Sequence, residues 1–275
     1  MANVIPISKK GNISYQSSYR PISLISCVGK VMERVVYQHV YIHLQSLKLI
    51  YKFQTEFLPK HSTLHQLLEM YNSILISLER KEMSCFVFCD FSKAFDKVWH
   101  RGLLRKLKAY GMNGNVLDWF HSYLNEREQR VVIKDASSSF TTVLWGVPQS
   151  SVPVPLLFII YINDIADKLT PLTRLFADDT SFTCSHSEGN EIQSIINHDL
   201  KKLDEWSKRW LMTFNPDNTV LIMLFANLEH PKIYFTFEDN IISTIESDRH
   251  LDVTFSTDAN WNAHIENSSL VFLNI

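Results

Sequence analysis

The chain has 275 residues, with 27 basic and 29 acidic side chains, 45% apolar residues and only 7 glycines. This apolar fraction excludes an intrinsically disordered protein, and no apolar run reaches the roughly 18 residues of a membrane-spanning helix. The length allows one large or two small domains, and the first residues fit no secretory leader. The four cysteines are too few for a disulfide scaffold and match no zinc spacing, so we expect buried thiols in a reducing compartment.

Charge is distributed unevenly along the chain. Residues 1–140 hold 19 basic and 11 acidic side chains, a net charge of +8, whereas residues 141–275 hold 8 and 18, a net charge of -10. The basic half favours an acidic partner such as nucleic acid, and the acidic half favours divalent cations. Random scatter is the alternative, because the whole chain lacks the basic surplus usual for a nucleic-acid binder.

Extended pieces followed by two helices are predicted at the start of the chain. Residues 1–21 contain short apolar pieces separated by turn residues. Apolar periodicity predicts a helix from about 28 to 48, and the capping-box spacing of Thr63 and Gln66 predicts the start of a second. The predicted apolar stripes are Val28, Met32, Val35, His39, Ile42 and Leu47 in the first helix, and Leu64, Leu67, Leu68, Tyr71, Leu75 and Leu78 in the second.

A short apolar run over 84–89 predicts a buried strand that ends in Asp90. Helices and hairpins alternate after it, which predicts the α+β class with mostly antiparallel strands. The Asp178-Asp179 pair joins two of these later strands. The elements predicted after Asp90 are a helix with a basic face over 99–110, a helix over 115–125, a hairpin of 130–133 with 140–144, a helix from Pro155 to Ile165, strands 172–177 and 180–183, a helix over 192–210, and strands 220–225 and 233–237.

The sharpest chemical pattern combines Asp178 and Asp179 at a hairpin tip with Asp90 at the end of a distant strand. Adjacent carboxylates repel one another unless a cation neutralises them, and Mg²⁺ prefers carboxylate and phosphate oxygens. Two such ions about 3.5–4 Å apart activate a hydroxyl and stabilise charge on the phosphorus that it attacks. An ordinary Asp-Asp turn without metal is the alternative.

Six ordered motifs extend this pattern: YRPISL (19–24), DFSKAFD (90–96), GVPQ (146–149), PLLF (155–158), YIND (161–164) and FADD (176–179). Together they resemble the reverse transcriptase domain of non-long-terminal-repeat (LINE-type) retrotransposons, specifically the jockey-like elements. The resemblance extends from about Val4 to Ile265. It implies a right-hand polymerase palm, an antiparallel sheet packed on helices, with helical fingers and a thumb that is largely missing. The implied domains are fingers at 1–80, palm at 81–248 with a fingers excursion near 112–145, and an incomplete palm-thumb junction at 249–275.

The resemblance also implies site residues. Asp90, Asp178 and Asp179 match the catalytic, metal-binding aspartates of the family. Phe95, with Phe91 in the same motif, matches an aromatic residue that contacts the nucleotide sugar and excludes a 2′-hydroxyl; a core Phe is the alternative. Gln149 matches a nucleotide-contacting residue, with a solvated amide as the alternative. Arg20, together with Lys9 or Lys10, matches basic fingers residues that hold the triphosphate, with surface charge as the alternative.

The implied reaction is RNA-directed DNA synthesis with two Mg²⁺ ions, or Mn²⁺, by attack of a primer 3′-hydroxyl on an α-phosphate. The implied partners are an RNA template, a DNA primer and deoxynucleoside triphosphates, without a membrane, in the nucleus or cytoplasm. A metal-dependent phosphohydrolase would explain the carboxylates but not Phe95 or Gln149. Six basic residues would lie along the template-primer phosphates, or form a solvated face: Arg101, Arg105, Lys106, Lys108, Arg127 and Arg130.

Several positions depart from the family pattern. Where the family has glycine, the chain has Ser150, Val154, Glu56 and Asp252, and Pro153 replaces a leucine. We expect strain at Val154 and a misshapen nucleotide loop, because glycine supplies positive φ and close backbone approach. Asn218 stands where the family has a lysine that protonates the pyrophosphate, which predicts a slow enzyme. The alternative function is therefore a catalytically silent remnant that still binds nucleic acid.

Overall fold

A computed structural model describes residues 1–9, 12–215, 218–224, 233–238, 240–242 and 244–266. Its helices are α1 (Cys27–Ser46), α2 (Thr63–Glu79), α3 (His100–Ala109), α4 (Asn115–Leu124), α5 (Val154–Ile162) and α6 (Gly189–Trp210). Its strands are β1 (Ala2–Ser8), β2 (Tyr19–Leu24), β3 (Met83–Asp90), β4 (Arg127–Ile133), β5 (Ala136–Ser137), β6 (Thr141–Val143), β7 (Leu172–Phe176), β8 (Asp179–His186), β9 (Val220–Leu224), β10 (Phe235–Phe237), β11 (Asn240–Ile242), β12 (Ser247–His250) and β13 (Val253–Ser256).

The chain forms two compact units, each built from two separate stretches of sequence. The first unit contains residues 1–51 and 93–163, and the second contains residues 52–92 and 164–275. The predicted elements are present in this α+β structure, although α5 ends three residues earlier than expected and β4 pairs with β6 through residues 127–129 instead of 130–133. The last residue of the strand predicted over 220–225 lies outside the described residues. The assignment of fingers and palm to particular residue ranges stays a prediction.

A five-stranded sheet and four helices, α1, α3, α4 and α5, make up the first unit. The sheet has the order β2-β1-β4-β5, and β6 also pairs with β4. The β1-β4 pair is parallel, and the other pairs are antiparallel. The most apolar helix is α5, in which all residues except Pro155 are buried. Pro155 lies in the first turn of α5, where its missing N–H leaves no helical hydrogen bond unmade.

The predicted apolar stripe of α1 does not face the interior. Val28, Met32 and Val35 are exposed, and the buried residues of α1 are Glu33, Val40 and Leu44. Glu33 is buried because its Oε2 accepts a hydrogen bond from the backbone N–H of Val152, at 3.0 Å. The hydrogen bond between Glu33 and Val152 thus helps to determine which face of α1 is turned towards the interior.

The stripe predicted for α2 is only partly confirmed, because Leu67 and Tyr71 are half-buried and Tyr71 packs against the core. Leu64, Leu68 and Leu75 are exposed, whereas Met70 and Ile74 are buried. The expected capping box is not formed, because Thr63 is already the first helical residue. The side chain of Gln66 instead points inwards, and its Oε1 accepts a hydrogen bond from the hydroxyl of Thr55 at 2.9 Å.

A four-stranded antiparallel sheet of order β7-β8-β3-β9 forms the centre of the second unit. β3 is its buried inner strand, as the apolar run predicts, and Phe86 and Phe88 pack with Met70 and Ile74 of α2. Burying each such side chain stabilises the fold by roughly 1.5–3 kcal/mol. The rigid inner strand delivers Asp90 at its last position.

Three of the four cysteines are buried as expected: Cys85 and Cys89 in β3 and Cys184 in β8. Burial raises the pKa of the Cys89 thiol to about 12, so this thiol is protonated and unreactive. Cys27, at the first position of α1, is exposed, which corrects the expectation of four buried thiols. None of the described helices combines the length and the hydropathy needed to cross a bilayer.

Candidate active site

Strand register brings the predicted carboxylates together in the second unit. Asp90 ends β3 and lies directly opposite Asp179, the first residue of β8. Asp178 precedes Asp179 in the turn from β7, where Ala177 has a φ of +49°. Directly opposed residues of antiparallel strands have Cβ atoms about 4.5–5.5 Å apart on the same face. Two carboxylates that are 89 positions apart in sequence thus share one end of the sheet.

Asp179 is the carboxylate of this cluster whose negative charge is least favourable. The pKa of Asp179 is raised from 3.8 to about 7, first by burial and then by the negative charges of Asp178, Asp90 and Glu56. Such a group of carboxylates is costly to keep charged, and a bound cation is the usual means of offsetting that cost.

Glu56 is the member of this cluster that sequence reasoning missed. Its pKa is raised by burial and by the charge of Asp178. The backbone N–H of Thr55 donates to the carbonyl of Leu175 at 3.1 Å, which places the 53–56 segment beside the end of β7. The sequence shows a glutamate where the family has glycine, but the contact with β7 spans more than a hundred residues and leaves no local signal.

Asp90 is held from two sides. Its backbone carbonyl accepts a hydrogen bond from the N–H of Asn215 at 2.8 Å, and its side-chain Oδ2 accepts one from the amide of Asn218 at 2.9 Å. The residue that stands in place of the expected lysine therefore contacts a carboxylate of the cluster.

The donor chemistry of the cluster suits a hard divalent cation, because all four side chains supply carboxylate oxygens. The raised pKa of Asp179 is also consistent with a cation site, because a bound cation would stabilise the negative charge that burial and the neighbouring carboxylates disfavour. Among the residues that the structure describes, however, no group of three or more His, Cys, Asp or Glu side chains is arranged to hold a metal ion. Asp90, Asp178 and Asp179 thus suit such an ion by the chemistry of their oxygens, while their arrangement in this structure does not form a metal site.

The loop predicted to contact the nucleotide lies in the first unit. The backbone carbonyl of Gln149 accepts a hydrogen bond from the N–H of Ser23 at 3.0 Å, and its side-chain Nε2 donates to Asp96 Oδ1 at 3.0 Å. A cavity of about 280 Å³ borders this loop. Its lining includes Pro21, Ser23, Asp96, Gln129, Trp145 and Gln149.

The residues that depart from the family pattern differ in whether their backbone conformation favours glycine. Ser150 has a φ of +86°, as expected at a glycine position, and its hydroxyl donates to the carbonyl of Ser23. The expected strain at Val154 is wrong, because Val154 is the buried first residue of α5 and its φ is not positive. Pro153 fits as the N-cap of α5, and its carbonyl accepts from Leu157 N–H at 2.9 Å. Asp252, with a φ of +67°, does occupy a conformation that favours glycine.

The other predicted nucleotide residues lie in different surroundings. Phe95 is half-buried in the first unit, with its ring centroid 4.7 Å from that of Phe158. Arg20 is exposed on β2. Phe91, in the second unit, is 3% exposed and packs against Phe214 at 4.4 Å between ring centroids, so packing accounts for its position.

The predicted basic residues are only partly available to phosphates. Arg101, Arg105 and Lys108 are exposed on α3. Lys106, by contrast, is buried, and its amine donates to the carbonyl of Tyr161, which corrects its assignment to a solvated basic face. Arg130 is half-buried, and its guanidinium lies 4.9 Å from the ring centroid of Phe140. Lys9 is exposed, and Lys10 lies outside the described residues.

Replacing Gly146 by alanine is expected to lower the free energy of unfolding by roughly 2–3 kcal/mol. Gly146 has a φ of +81°, and a Cβ atom there would lie 2.7 Å from the backbone oxygen of Asp96. Gly114→Ala is the matched control, since Gly114 has a φ of +54° but no atom within 4 Å of the point that a Cβ would occupy. Urea unfolding of both variants measures the difference, and equal losses would show that the close approach to Asp96 costs nothing.

Residues 7–261 match the family model described as "Reverse transcriptase (RNA-dependent DNA polymerase)". The chain therefore belongs to the reverse transcriptase family. It is 29% identical over 98% of its length to the "RNA-directed DNA polymerase from mobile element jockey" of Drosophila melanogaster, covering 30% of that protein. It is 32% identical over 80% of its length to the "Probable RNA-directed DNA polymerase from transposon BS" of the same fly, covering 25% of it. These relatives confirm the resemblance to jockey-like, non-long-terminal-repeat elements.

Solved structures support the fold. The chain is similar to apo telomerase from Candida tropicalis, with a TM-score of 0.63 and 10% identity over 95% of this chain and 48% of that one. It is also similar to telomerase from Candida albicans in complex with a TWJ fragment of telomeric RNA, with a TM-score of 0.58 and 13% identity over 96% of this chain and 45% of that one. The right-hand polymerase fold is thus confirmed, and the chain spans about a quarter to a third of the length of its jockey and BS relatives.

Proposed function

We propose that this chain is a reverse transcriptase domain that extends a DNA primer on an RNA template with deoxynucleoside triphosphates. The observation that carries the proposal is the pairing of Asp90 with Asp179 across β3 and β8, beside Asp178 in the same turn. Family membership supports the reaction class. A nuclear or cytoplasmic location is part of the proposal, because the reaction needs RNA and nucleotides.

In this proposal Asp90, Asp178 and Asp179 hold two Mg²⁺ ions, with Mn²⁺ as a substitute. When bound, the ions would activate the primer 3′-hydroxyl and stabilise the charge that develops at the α-phosphate. The contribution of the protein is to fix the carboxylates on the ends of paired strands, where rigid backbone limits their movement. The high pKa of Asp179 means that part of its population would have to lose a proton as the cations bind.

Phe95, Gln149 and Arg20 are proposed to contact the incoming nucleotide, and Phe91 is proposed to help shape its site. Phe95 would exclude a 2′-hydroxyl sterically, and Arg20 would bind the triphosphate through charge-assisted hydrogen bonds. Gln149 is supported by its place in a loop that is hydrogen-bonded on both sides, to Ser23 and to Asp96. Because Phe91 packs on Phe214, we propose that it supports the shape of the nucleotide site and does not touch the nucleotide itself.

A silent remnant that binds nucleic acid is the second candidate function. Asn218 in place of lysine favours it, because a neutral amide cannot protonate the departing pyrophosphate, and such general-acid help is typically worth about 10²–10⁴-fold in rate. The positive φ angles of Ser150 and Asp252 also favour it, since these conformations cost a non-glycine residue stability.

Primer extension on an RNA template with Mg²⁺ tests the proposal. The wild-type chain is compared with Asp178→Asn and with Asp135→Asn, which removes an exposed carboxylate from the β4-β5 turn. We expect extension by the wild type and by Asp135→Asn, and a loss of at least about 10³-fold in Asp178→Asn. No extension by the wild type, with template-primer binding retained, would contradict the polymerase and support the silent remnant.

A further inference from the structure

Residues 213–215 and 218–219 make several hydrogen bonds at and beside the end of β3. The N–H of Ser92 donates to the carbonyl of Thr213 at 2.8 Å, and Phe91 and Phe214 form an antiparallel bridge. Immediately afterwards the N–H of Asn215 donates to the carbonyl of Asp90 at 2.8 Å. The backbone of Asp90 is therefore fixed by the same segment that carries Asn218.

Local hydrogen bonds hold the backbone at Asn218 so that its side chain faces Asp90. Its N–H donates to the carbonyl of Asn215 at 3.1 Å, and the hydroxyl of Thr219 donates to the same carbonyl at 3.0 Å. The Asn218 side chain, which is exposed, then places its Nδ2 2.9 Å from Asp90 Oδ2. Its side chain thus reaches the carboxylate from a backbone that is itself anchored to Asp90.

The contact of the Asn218 amide with Asp90 differs in charge from the contact that a lysine at this position would make. A primary amide donates a hydrogen bond without adding a positive charge beside Asp90, whereas a lysine would add one. The χ2 torsion of an aspartate is broad and poorly defined on its own. A hydrogen bond to Oδ2 selects one orientation of the carboxylate and leaves Oδ1 to face away from the amide.

We propose that Asn218 is a positioning residue, which orients Asp90 for a divalent cation without placing a positive charge beside the carboxylate. This inference rests on the proposed function, since it assigns to Asp90 the binding of that cation. It assigns to position 218 a role that acts through Asp90 and not on the leaving pyrophosphate. Neighbours that orient a metal-binding side chain typically contribute about 10–100-fold to metal affinity.

Mn²⁺ binding to the full chain, followed by electron paramagnetic resonance without nucleotide or template, tests the proposal. Asn218→Leu, which keeps the shape but lacks the donor, is expected to weaken Mn²⁺ binding about 10-fold. Asn218→Lys is expected to weaken it at least as much, because an ammonium beside Asp90 repels the ion. Asn218→Gln, which keeps a longer amide donor, should recover part of the affinity. Asn113→Ala is the control, since this exposed asparagine donates to the carbonyl of Gly111 at 3.0 Å and should leave Mn²⁺ binding unchanged.

A second readout separates positioning of Asp90 from a role of the amide elsewhere in the reaction. If Asn218 acts through Asp90, raising the Mn²⁺ concentration should restore primer extension by Asn218→Leu to the wild-type rate, whereas a contact of the amide with primer, template or nucleotide would leave a deficit at saturating metal. Thermal unfolding in EDTA checks that each variant folds, as expected for a change at an exposed side chain.

Failure of the inference is distinguishable from failure of the proposed function. Weakened Mn²⁺ binding in Asp90→Asn together with wild-type binding in Asn218→Leu and Asn218→Lys would overturn the positioning role and leave the cation site standing. Wild-type Mn²⁺ binding in both Asp90→Asn and Asp179→Asn would overturn the cation site itself, and with it the proposed function and the inference.

Discussion

Asp179→Asn is expected to raise the free energy of unfolding at pH 8 in EDTA by roughly 2–4 kcal/mol. Asp179 is half-buried and lies near three other carboxylates, Asp178, Asp90 and Glu56, which raise its pKa further than burial alone. Asparagine is close to aspartate in shape but carries no charge, so it removes both the desolvation and the repulsion. The gain in stability is expected to accompany a loss of cation binding.

The gain should depend on pH in a defined direction. The pKa of Asp179 is 3.8 before burial and about 7 in the folded protein. Between these values the folded state binds more protons than the unfolded chain, so the contribution of Asp179 to stability falls as the pH rises through this window. The difference between Asp179→Asn and the wild type should therefore be small near pH 4 and reach its maximum above pH 7.

Urea unfolding at pH 5 and pH 8, with Asp135→Asn as the control for an exposed carboxylate, measures this difference. Adding Mg²⁺ at pH 8 should stabilise the wild type more than Asp179→Asn, because a ligand that binds only the folded state stabilises it. A wild type that is as stable as Asp179→Asn at pH 8 in EDTA would show that neither the burial of Asp179 nor repulsion by its neighbouring carboxylates destabilises the folded chain.

Arg174→Ala is expected to lower the free energy of unfolding by roughly 3–5 kcal/mol. Arg174 in β7 is only 1% exposed. Its guanidinium donates to Ser73 Oγ at 2.7 Å, to Thr183 Oγ1 at 3.1 Å and to the carbonyl of Glu69 at 3.3 Å. Removing it leaves the buried hydroxyl of Thr183 and the partly buried oxygens of Ser73 and Glu69 without their donor, and it opens a cavity between α2 and the sheet.

Arg209→Ala is the matched control, because Arg209 lies exposed in the last turn of α6. This substitution should change stability by no more than about 0.5 kcal/mol. Thermal and urea unfolding of both variants provide the comparison. Similar, small losses in the two variants would mean that water or neighbouring side chains replace the guanidinium of Arg174 at little cost.

The sequence predicts those parts of the structure that depend on local pattern. The apolar run of β3, the hairpin that carries Asp178 and Asp179, and the helix over 192–210 were all found close to the predicted residues. Ordered motifs identified the family, because six of them in order are far more specific than any one. The register of Asp90 with Asp179 follows from the fold that these motifs imply.

Long-range polar contacts were beyond prediction. The rotation of α1 depends on a bond between Glu33 and Val152, 119 residues away, and Gln66 of α2 is drawn inwards by Thr55. Lys106 is buried because the carbonyl of Tyr161 accepts its charge-assisted hydrogen bond. In each case a polar side chain is buried by a partner that hydropathy cannot reveal. Glu56 joins the acidic cluster for the same kind of reason.

The position of β3 in its sheet has a consequence for synthesis on the ribosome. β3 pairs with β8 and β9, and the last residue of β9 follows Asp90 by about 130 residues. At about 5–20 residues per second, a nascent chain carries this strand without its neighbours for on the order of ten seconds. Asp90 and Asp179 therefore cannot pair until β8 has left the ribosome, and the acidic site forms late in synthesis.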